Sequence, residues 1–554
     1  MEIKPATQNS QPATRNPQPL KVSISYPPLE SEKGIPLLGQ NRQFQWFSEP
    51  TYIYPMVPAY AATLLKDNGF EVIWDDGIAE GLTYAQWLER IKREKPDVIA
   101  IETKTPVVKR HWKIINDLKK LTTQNPPPAT RNSQLATRNS HPAPRNSQPV
   151  TVLMGDHVTA LPEESMANSQ VDFVLTGGDY DFLLLNLCRS LATRNSQPAT
   201  RNFQLATRNS QLATNFMPGI WYREEGRIKN TGQCELNHDL NSLPLIDRKL
   251  TRWKLYSEKN GNYKYLPGTY TMAARDCWWG KCSFCSWTTI FPGAKYRSRS
   301  PEKVLDEVGM LIEKYGVREI MDDSGTFPVG EWLINFCEGM IKRGYNKKVK
   351  IDCNMRFGIL GEHEYKMMAK AGFRFILFGL ESANQKTLDR IDKNLKVEQI
   401  ADGVKMAKKA GLDPHVTVMM GYPWETKEDA RNTIELAKYL FKCGYIDTLQ
   451  ATIVIPYPGT PLFEECKGNG WLLTEDWDRY DMREPVMSSS MSALDIKELT
   501  QMLYKSFASP QFIARKILAI RGADDIRFLW RAGKKLFGHL TDFSHRKAVS
   551  QYQK

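Results

Sequence analysis

Two long stretches of the chain alternate short apolar segments with helical patterns, and this alternation restricts the fold more than any other sequence feature. In residues 20–191 the candidate strands are KVSISY (21–26), EVIWDD (71–76), DVIAIE (97–102), VTVLMG (150–155) and VDFVLT (171–176). Strands that are separated by helices pair in parallel, and the helices cover both faces of the sheet. This stretch therefore predicts an α/β domain with a doubly wound parallel sheet.

Residues 266–460 repeat the alternation with longer helices. The candidate strands lie at 270–275, 319–324, 350–357, 375–382, 415–422 and 448–456. Six βα units without a reversal predict a partial (β/α)6 TIM-like barrel, in which functional side chains lie at the carboxyl ends of the strands. Residues 216–265, with the Pro-punctuated LNSLPLID (241–248), predict a linker, and residues 461–554 predict a helical region.

A unit close to ATRNSQP recurs in three tracts, and it interrupts the predicted elements. The tracts occupy residues 1–19, 122–149 and 192–215 and are rich in Asn, Gln, Ser, Thr and Pro. Because such segments have little apolar surface to bury, we expect all three tracts to be disordered. The two internal tracts follow helices, and ligands of doubly wound sheets bind beyond the carboxyl ends of the strands. Both insertions therefore leave the expected binding edge free.

The net charge of +13 gives no case for nucleic-acid binding, because the excess of basic residues is concentrated outside the predicted core. Seven arginines lie in the repeat tracts, and Gln511–Lys554 has ten Lys/Arg against three Asp. The basic, apolar stretch 507–540 predicts a packed helical cap; the alternative is an amphipathic helix that contacts anionic lipid or an apolar substrate. The sequence has neither an apolar run of about 18 residues nor a signal-peptide pattern, so we expect a cytoplasmic protein.

The segment RDCWWGKCSFCSW (275–287) directly follows a predicted strand and contains three cysteines in the spacing C-x4-C-x2-C: Cys277, Cys282 and Cys285. Thiolates are soft ligands that suit an iron–sulfur cluster or zinc. A cube of four irons held by three thiolates keeps one iron open for the amino and carboxylate groups of a methionine. A zinc site needs a fourth ligand, and the next Cys or His along the chain is Cys337.

This segment and the strand ends that follow it resemble the radical S-adenosylmethionine (SAM) superfamily over about residues 270–460. The commonest spacing of that family is C-x3-C-x2-C, so this loop has one extra residue. The resemblance implies a [4Fe–4S] cluster on the three cysteines. It also implies a SAM site formed by Phe284, which would lie near the adenine, and by Asp323, Ser324, Arg356, Glu381, Ser382 and Gly421.

Each of these assignments has a structural alternative. Asp323 could cap the next helix, Arg356 and Glu381 could form an ordinary ion pair in the barrel mouth, and Gly421 could serve a turn.

The N-terminal domain resembles the flavodoxin-like cobalamin-binding domains that are often fused to such barrels. The resemblance rests on GDHVTALPEE (155–164) and VDFVLTGGDYDFLLLNL (171–187), and its candidate cobalamin contacts are Gly155, His157, Thr159 and Gly177. The usual D-x-H-x-x-G segment is absent, so we expect cobalamin without a protein histidine on cobalt. A vestigial domain that no longer binds the cofactor is the alternative.

Together the two resemblances imply a cobalamin-dependent enzyme that cleaves SAM to a 5′-deoxyadenosyl radical and modifies an unactivated carbon, with C-methylation as the leading outcome. They also imply an external electron donor of the flavodoxin or ferredoxin type and a small-molecule, lipid-like or peptide substrate. The alternatives are a radical SAM oxidoreductase or cyclase with a vestigial cobalamin domain, and a non-catalytic cobalamin sensor. A methylthiotransferase is disfavoured, because it needs three further N-terminal cysteines and only Cys188 precedes the predicted linker.

Overall fold

The computed structural model describes residues 19–37, 46–47, 51–121, 148–195, 215–293, 295–505 and 510–542. Most of the three repeat tracts lie outside these residues, so their disorder stays a prediction. Two mainly parallel sheets with connecting helices form the described part of the chain, as the alternation predicts.

The first sheet contains the five predicted N-terminal strands. They are β1 Lys21–Tyr26, β2 Glu71–Asp76, β3 Val98–Thr103, β4 Val150–Gly155 and β5 Phe173–Leu175, and they pair in parallel in the order β2-β1-β3-β4-β5. The helices between and after them include α1 Met56–Asp67, α2 Tyr84–Glu94, α3 Val108–Lys120, α4 Asp156–Ala160, α5 Pro162–Asn168 and α6 Tyr180–Asn195. The carboxyl ends of the five strands therefore lie at one edge.

Part of the predicted linker belongs to this sheet, which corrects the expectation for residues 216–265. Strands β6 Ile220–Glu224 and β7 Arg227–Asn230 form an antiparallel hairpin beside β5. The two turn residues, Glu225 and Gly226, both have positive φ, which is the geometry of a tight hairpin turn. Alternate residues of β6 are buried, so the strand covers the sheet edge with one face.

The second sheet contains six parallel strands in chain order: β8 Gly268–Thr271, β9 Glu319–Asp322, β10 Lys350–Met355, β11 Phe373–Glu381, β12 Asp413–Met420 and β13 Thr448–Ile453. The main connecting helices are α7 Pro301–Tyr315, α8 Glu331–Lys342, α9 Glu362–Lys370, α10 Gln385–Arg390, α11 Val397–Lys409 and α12 Lys427–Cys443. The strand predicted at 270–275 is interrupted after Thr271. Its last two residues pair instead with Arg297–Ser298 in an antiparallel ladder that encloses the cysteine segment.

The C-terminal region is helical, with α13 Pro461–Gly468, α14 Ala493–Lys505, α15 Pro510–Leu518 and α16 Ala523–Asp542. Helix α14 covers β13, the last strand of the second sheet. The Tyr504 hydroxyl donates to the carbonyl of Ala451 at 2.8 Å and accepts from its amide at 3.1 Å. These bonds satisfy backbone groups of an edge strand that would otherwise stay open to pairing. None of the helices in the described ranges has the length and apolarity needed to cross a bilayer.

Candidate active site at the facing edges of the two sheets

The three cysteines lie on a loop that is fixed by the strand ends around it. The Cys285 amide donates to the carbonyl of Cys282 at 3.1 Å, and the Thr326 hydroxyl lies 3.6 Å from the Cys277 sulfur. The loop after β9 presses closely on this segment, since a Cβ on Gly325 would lie 2.9 Å from the carbonyl oxygen of Asp276. Only a glycine allows that approach.

The donor set fits a cluster that requires three thiolates in one environment. Burial raises the pKa of Cys282, which the nearby cations of Lys393 and Arg356 partly offset. Burial and then the neighbouring Cys282 raise the pKa of Cys285, so the thiols influence one another electrostatically. Among the residues that the structure describes, no group of three or more His, Cys, Asp or Glu side chains is arranged as a metal-ion site.

Arg356 is held against the cysteine loop and does not form the ion pair with Glu381 that was its structural alternative. Its guanidinium lies 5.3 Å from the ring centre of Trp278 and 4.9 Å from that of Trp279, and Nη1 is 3.9 Å from the Cys282 sulfur. It also donates to the carbonyl of Lys393. Arg356 therefore carries a positive charge beside the position where thiolate charge develops.

Glu381 pairs with Lys393, a residue that the sequence analysis did not single out. The Lys393 Nζ lies 2.9 Å from Glu381 Oε1, and both side chains are largely buried. Glu381 has φ +60° at an irregularity that ends β11, a strained conformation that is typical of functional sites. A Cβ on Gly379 would lie only 2.2 Å from the Glu381 carboxylate, so the pair folds back over this glycine.

The end of β9 carries Asp322, Asp323 and Ser324, all buried. The Asp322 carboxylate accepts hydrogen bonds from the Ala273 amide at 2.7 Å and from the Ser324 hydroxyl at 2.5 Å. Burial raises the pKa of Asp322 to about 6, although these hydrogen bonds lower it. Neither aspartate caps the next helix, because α8 begins only at Glu331. The triplet instead joins the ends of β8 and β9 below the cysteine loop.

Ser382 is held by a hydrogen bond to a second buried carboxylate, that of Glu425. Its hydroxyl donates to Glu425 Oε1 at 2.7 Å, and burial raises the pKa of Glu425 to about 7. Phe284 is buried beside the Glu381–Lys393 pair, with its ring centre 6.0 Å from Lys393 Nζ. The structure thus brings Phe284, Glu381 and Lys393 together at one edge of the barrel.

Gly421 has a packing role that the sequence could not reveal. Its φ is +99°, and a Cβ at this position would lie 3.2 Å from the Ile496 side chain of α14. The glycine therefore lets the C-terminal helix approach the end of β12.

Three of the four candidate cobalamin residues form one connected feature at the carboxyl ends of β4 and β5. The Thr159 hydroxyl donates to the carbonyl of Gly155 at 2.6 Å and accepts from the Gly177 amide at 3.0 Å. Gly155 has φ +126°, and a Cβ there would lie 2.2 Å from the carbonyl oxygen of Thr103. The backbone at this edge is thus fixed by close contacts with neighbouring strand ends.

The fourth candidate, His157, is a buried structural residue. Its Nδ1 lies 3.2 Å from the Thr105 hydroxyl and its Nε2 lies 3.0 Å from Glu164, and its ring packs against Trp112 and Trp477. Both ring nitrogens therefore have protein partners.

The carboxyl edge of the first sheet packs directly against the cysteine segment. A Cβ on Gly178 would lie 1.9 Å from the Phe291 ring, and one on Gly459 would lie 2.6 Å from Thr289 and 2.9 Å from Ala160. Small residues are needed at this junction because the two domains meet without space for side chains.

A buried charge cluster joins the same two edges, and sequence reasoning missed it. Arg275, two residues before Cys277, lies 2.8 Å from Asp179 and 2.5 Å from Asp181, which follow β5. Asp179 also pairs with Arg297 at 2.6 Å and with His238 at 2.8 Å. We call these five residues the interdomain clamp. The acidic residues of GGDYD (177–181) and the arginine of RDC (275–277) are visible in the sequence, but no local pattern indicates that they pair.

Electrostatics within the clamp favour the ionised form of its central carboxylate. Burial alone would disfavour the charge on Asp179, but Arg275, His238 and Arg297 outweigh it and hold the pKa of Asp179 well below its ordinary value. The clamp therefore fixes both ends of the cysteine segment against the N-terminal domain.

Residues 274–437 match the Radical SAM superfamily. An uncharacterized methyltransferase of Pyrococcus horikoshii is 26% identical over 471 residues, which cover 84% of this chain and 91% of that protein. An anaerobic magnesium-protoporphyrin IX monomethyl ester cyclase of Cereibacter sphaeroides is 25% identical over 441 residues, which cover 78% of this chain and 63% of the cyclase.

Among solved structures, the radical SAM methyltransferase TsrM from Kitasatospora setae, with cobalamin and a [4Fe–4S] cluster, has a TM-score of 0.62 at 13% identity and covers 94% of this chain and 99% of that one. The cobalamin-dependent radical SAM enzyme OxsB also gives 0.62, at 14% identity, over 94% of this chain and 72% of that one. These likenesses establish the shared two-domain fold. Residues 274–437 therefore form a domain that matches the Radical SAM superfamily, and the described residues share their fold with these two solved proteins.

Proposed function

We propose that this protein is a cobalamin-dependent radical SAM enzyme that methylates an unactivated carbon of its substrate. The observation that carries the proposal is the direct contact between the three-cysteine segment and the glycine-rich carboxyl edge of the N-terminal sheet, fixed by the interdomain clamp. When bound, a [4Fe–4S] cluster and SAM supply the 5′-deoxyadenosyl radical and cobalamin supplies the methyl group. A methyl transfer to a carbon radical needs both reactive centres near one substrate, and these two edges lie next to each other.

The finer fold assignments are part of this proposal. The parallel order β2-β1-β3-β4-β5 is that of flavodoxin-like sheets, whose ligands bind outside the carboxyl ends of the strands. Six parallel strands in unbroken chain order support a partial (β/α)6 barrel. We assign residues 20–191, together with the β6–β7 hairpin, to the cobalamin domain and residues 266–460 to the barrel.

In the barrel, the residues form a charged site. Cys277, Cys282 and Cys285 would hold the cluster, and the nearby cations of Arg356 and Lys393 lower the cost of thiolate charge. The residues proposed to bind SAM are Phe284, Asp323, Ser324, Arg356, Glu381 and Ser382, with Lys393 added to them. Gly421 is not included among them, because its role is to allow Ile496 to pack closely.

In the N-terminal domain, Gly155, Thr159 and Gly177 at the carboxyl ends of β4 and β5 are the residues proposed to contact the corrin. The side chain of His157 is committed to Thr105 and Glu164, which supports cobalamin without a protein histidine on cobalt. Small-molecule, lipid-like and peptide substrates, a flavodoxin or ferredoxin type of electron donor and a cytoplasmic location remain predictions.

An oxidative cyclase is the second candidate, because a relative that aligns with 78% of this chain bears that name. The products separate the two functions. A methyltransferase converts two molecules of SAM for each turnover, one to S-adenosylhomocysteine and one to 5′-deoxyadenosine. A cyclase forms 5′-deoxyadenosine without S-adenosylhomocysteine.

The test is anaerobic reconstitution with iron, sulfide and cobalamin, followed by iron and cobalt analysis and by product analysis after reduction. We expect about four irons, bound cobalt, and formation of both SAM products in the wild type. C282A should lose most of the iron and all 5′-deoxyadenosine, whereas the exposed Cys443 provides the matched control C443S, which should keep both. Equal iron in C282A and C443S would contradict the cluster assignment, and failure of the wild type to form S-adenosylhomocysteine would contradict methylation.

A further inference from the structure

The two last helices carry a concentration of exposed apolar side chains. Five large apolar residues, exposed by 48 to 75%, lie within 18 residues: Ile513, Ile517, Leu518, Ile526 and Trp530. The other exposed large apolar residues in the described ranges are spread between positions 245 and 494. A concentration of exposed apolar side chains on a protein surface is typical of an interaction site.

The opposite faces of these helices are already used to hold them on the barrel. The Phe512 ring contacts the Phe441 ring edge-on at 5.7 Å, and Lys516 pairs with Asp447 at 2.8 Å. On α16, Arg531 donates to the carbonyl of Tyr263 at 2.9 Å. The helices are therefore oriented by polar and aromatic contacts on one side, and the apolar side chains face away from the barrel.

Acidic and basic side chains of these helices lie on different faces. Asp524 and Asp525, the only acidic residues between positions 510 and 534, pair with Arg318 at 2.6 Å and with Lys264 at 2.5 Å, and Asp524 also lies 3.6 Å from Arg527. The exposed positions next to the apolar side chains instead hold cations: Arg521, Arg527 and Lys534. The outward face is thus apolar and basic.

We propose that this outward face, formed by the five apolar side chains and the three cations, docks on an anionic lipid bilayer. Apolar side chains enter the boundary between headgroups and acyl chains, a tryptophan is favoured at that depth, and anionic headgroups attract the cations. A second copy of the same face fits poorly, because it would oppose cations to cations. This proposal does not depend on the chemistry of the active site.

The test is co-sedimentation of the full-length holoprotein with vesicles of phosphatidylcholine alone or mixed with phosphatidylglycerol. We expect binding to the anionic vesicles that weakens as salt rises, because exposed charges are screened. The double variant I526Q/W530Q should lower the vesicle–water partition coefficient by about tenfold or more, because it removes two apolar side chains that would enter the bilayer. The matched control L473Q/L494Q changes two equally exposed apolar residues outside the patch and should bind as the wild type does.

Three results would overturn the proposal. The first is equal vesicle binding by I526Q/W530Q and the control, and the second is no binding by the wild type. The third is a concentration-dependent dimer in solution that I526Q/W530Q abolishes, which would make the face a contact between copies. Iron content and 5′-deoxyadenosine formation are measured on the same preparations, so a failure of the membrane proposal is distinct from a failure of the proposed function.

Discussion

Replacement of Asp179 by Asn tests whether the interdomain clamp fixes the cysteine segment. The Asp179 carboxylate is fully buried and contacts Arg275, Arg297 and His238 at 2.6 to 2.8 Å. Asparagine keeps the shape but removes the negative charge and turns an NH2 group toward cations. The buried Arg275 then retains Asp181 as its remaining ion-pair partner.

The expected loss follows from the burial of the cluster. Removal of one partner from a buried ion pair costs about 3–5 kcal/mol, because the other charge stays buried without compensation. Arg275 keeps Asp181 and Arg297 is partly exposed, so we expect the lower end, about 3 kcal/mol. The folded pKa of Asp179 lies below its unfolded value of about 3.9. The contribution is therefore complete at neutral pH and is lost as the pH falls below about 4.

The assay is urea unfolding of wild type and D179N at pH 7 and at about pH 3, with the cobalt and iron content measured in parallel. D306N is the control, because Asp306 pairs with Arg343 on the surface and should contribute less than about 1 kcal/mol. We expect the difference between wild type and D179N to shrink at the lower pH. The reasoning is wrong if D179N and D306N unfold at the same urea concentration, or if the difference grows in acid.

Two further predictions concern single residues. G421A should lower the free energy of unfolding by about 1–3 kcal/mol, because the φ of Gly421 is +99° and the new methyl group would press on Ile496; thermal unfolding checks this, and SAM affinity should stay at the wild-type value. H157Q should leave the electron paramagnetic resonance spectrum of cobalt(II) in the holoprotein unchanged, because both ring nitrogens of His157 have protein partners. A nitrogen splitting that disappears in H157Q would refute that assignment.

Several features were predictable because their information is local. The parallel strands of both sheets follow from short apolar runs, and each βα repeat from its own alternation, whereas the β6–β7 hairpin and the interruption after Thr271 were not predicted. The soft ligands of the cysteine segment also lie within nine residues of one another. Here the chemistry and the spacing are set by neighbouring positions in the chain.

Periodicity and the identity of nearby side chains thus made the βα repeats and the cluster ligands readable from the sequence by itself. Only the tertiary structure decided that Glu381 pairs with Lys393 rather than with Arg356, that part of the linker joins the first sheet, and that Gly421 admits a helix. It also decided the clamp, whose partners Asp179 and Arg275 are 96 residues apart. Ion pairing and close packing depend on which distant segments meet in space, and that is determined only when both domains have folded against each other.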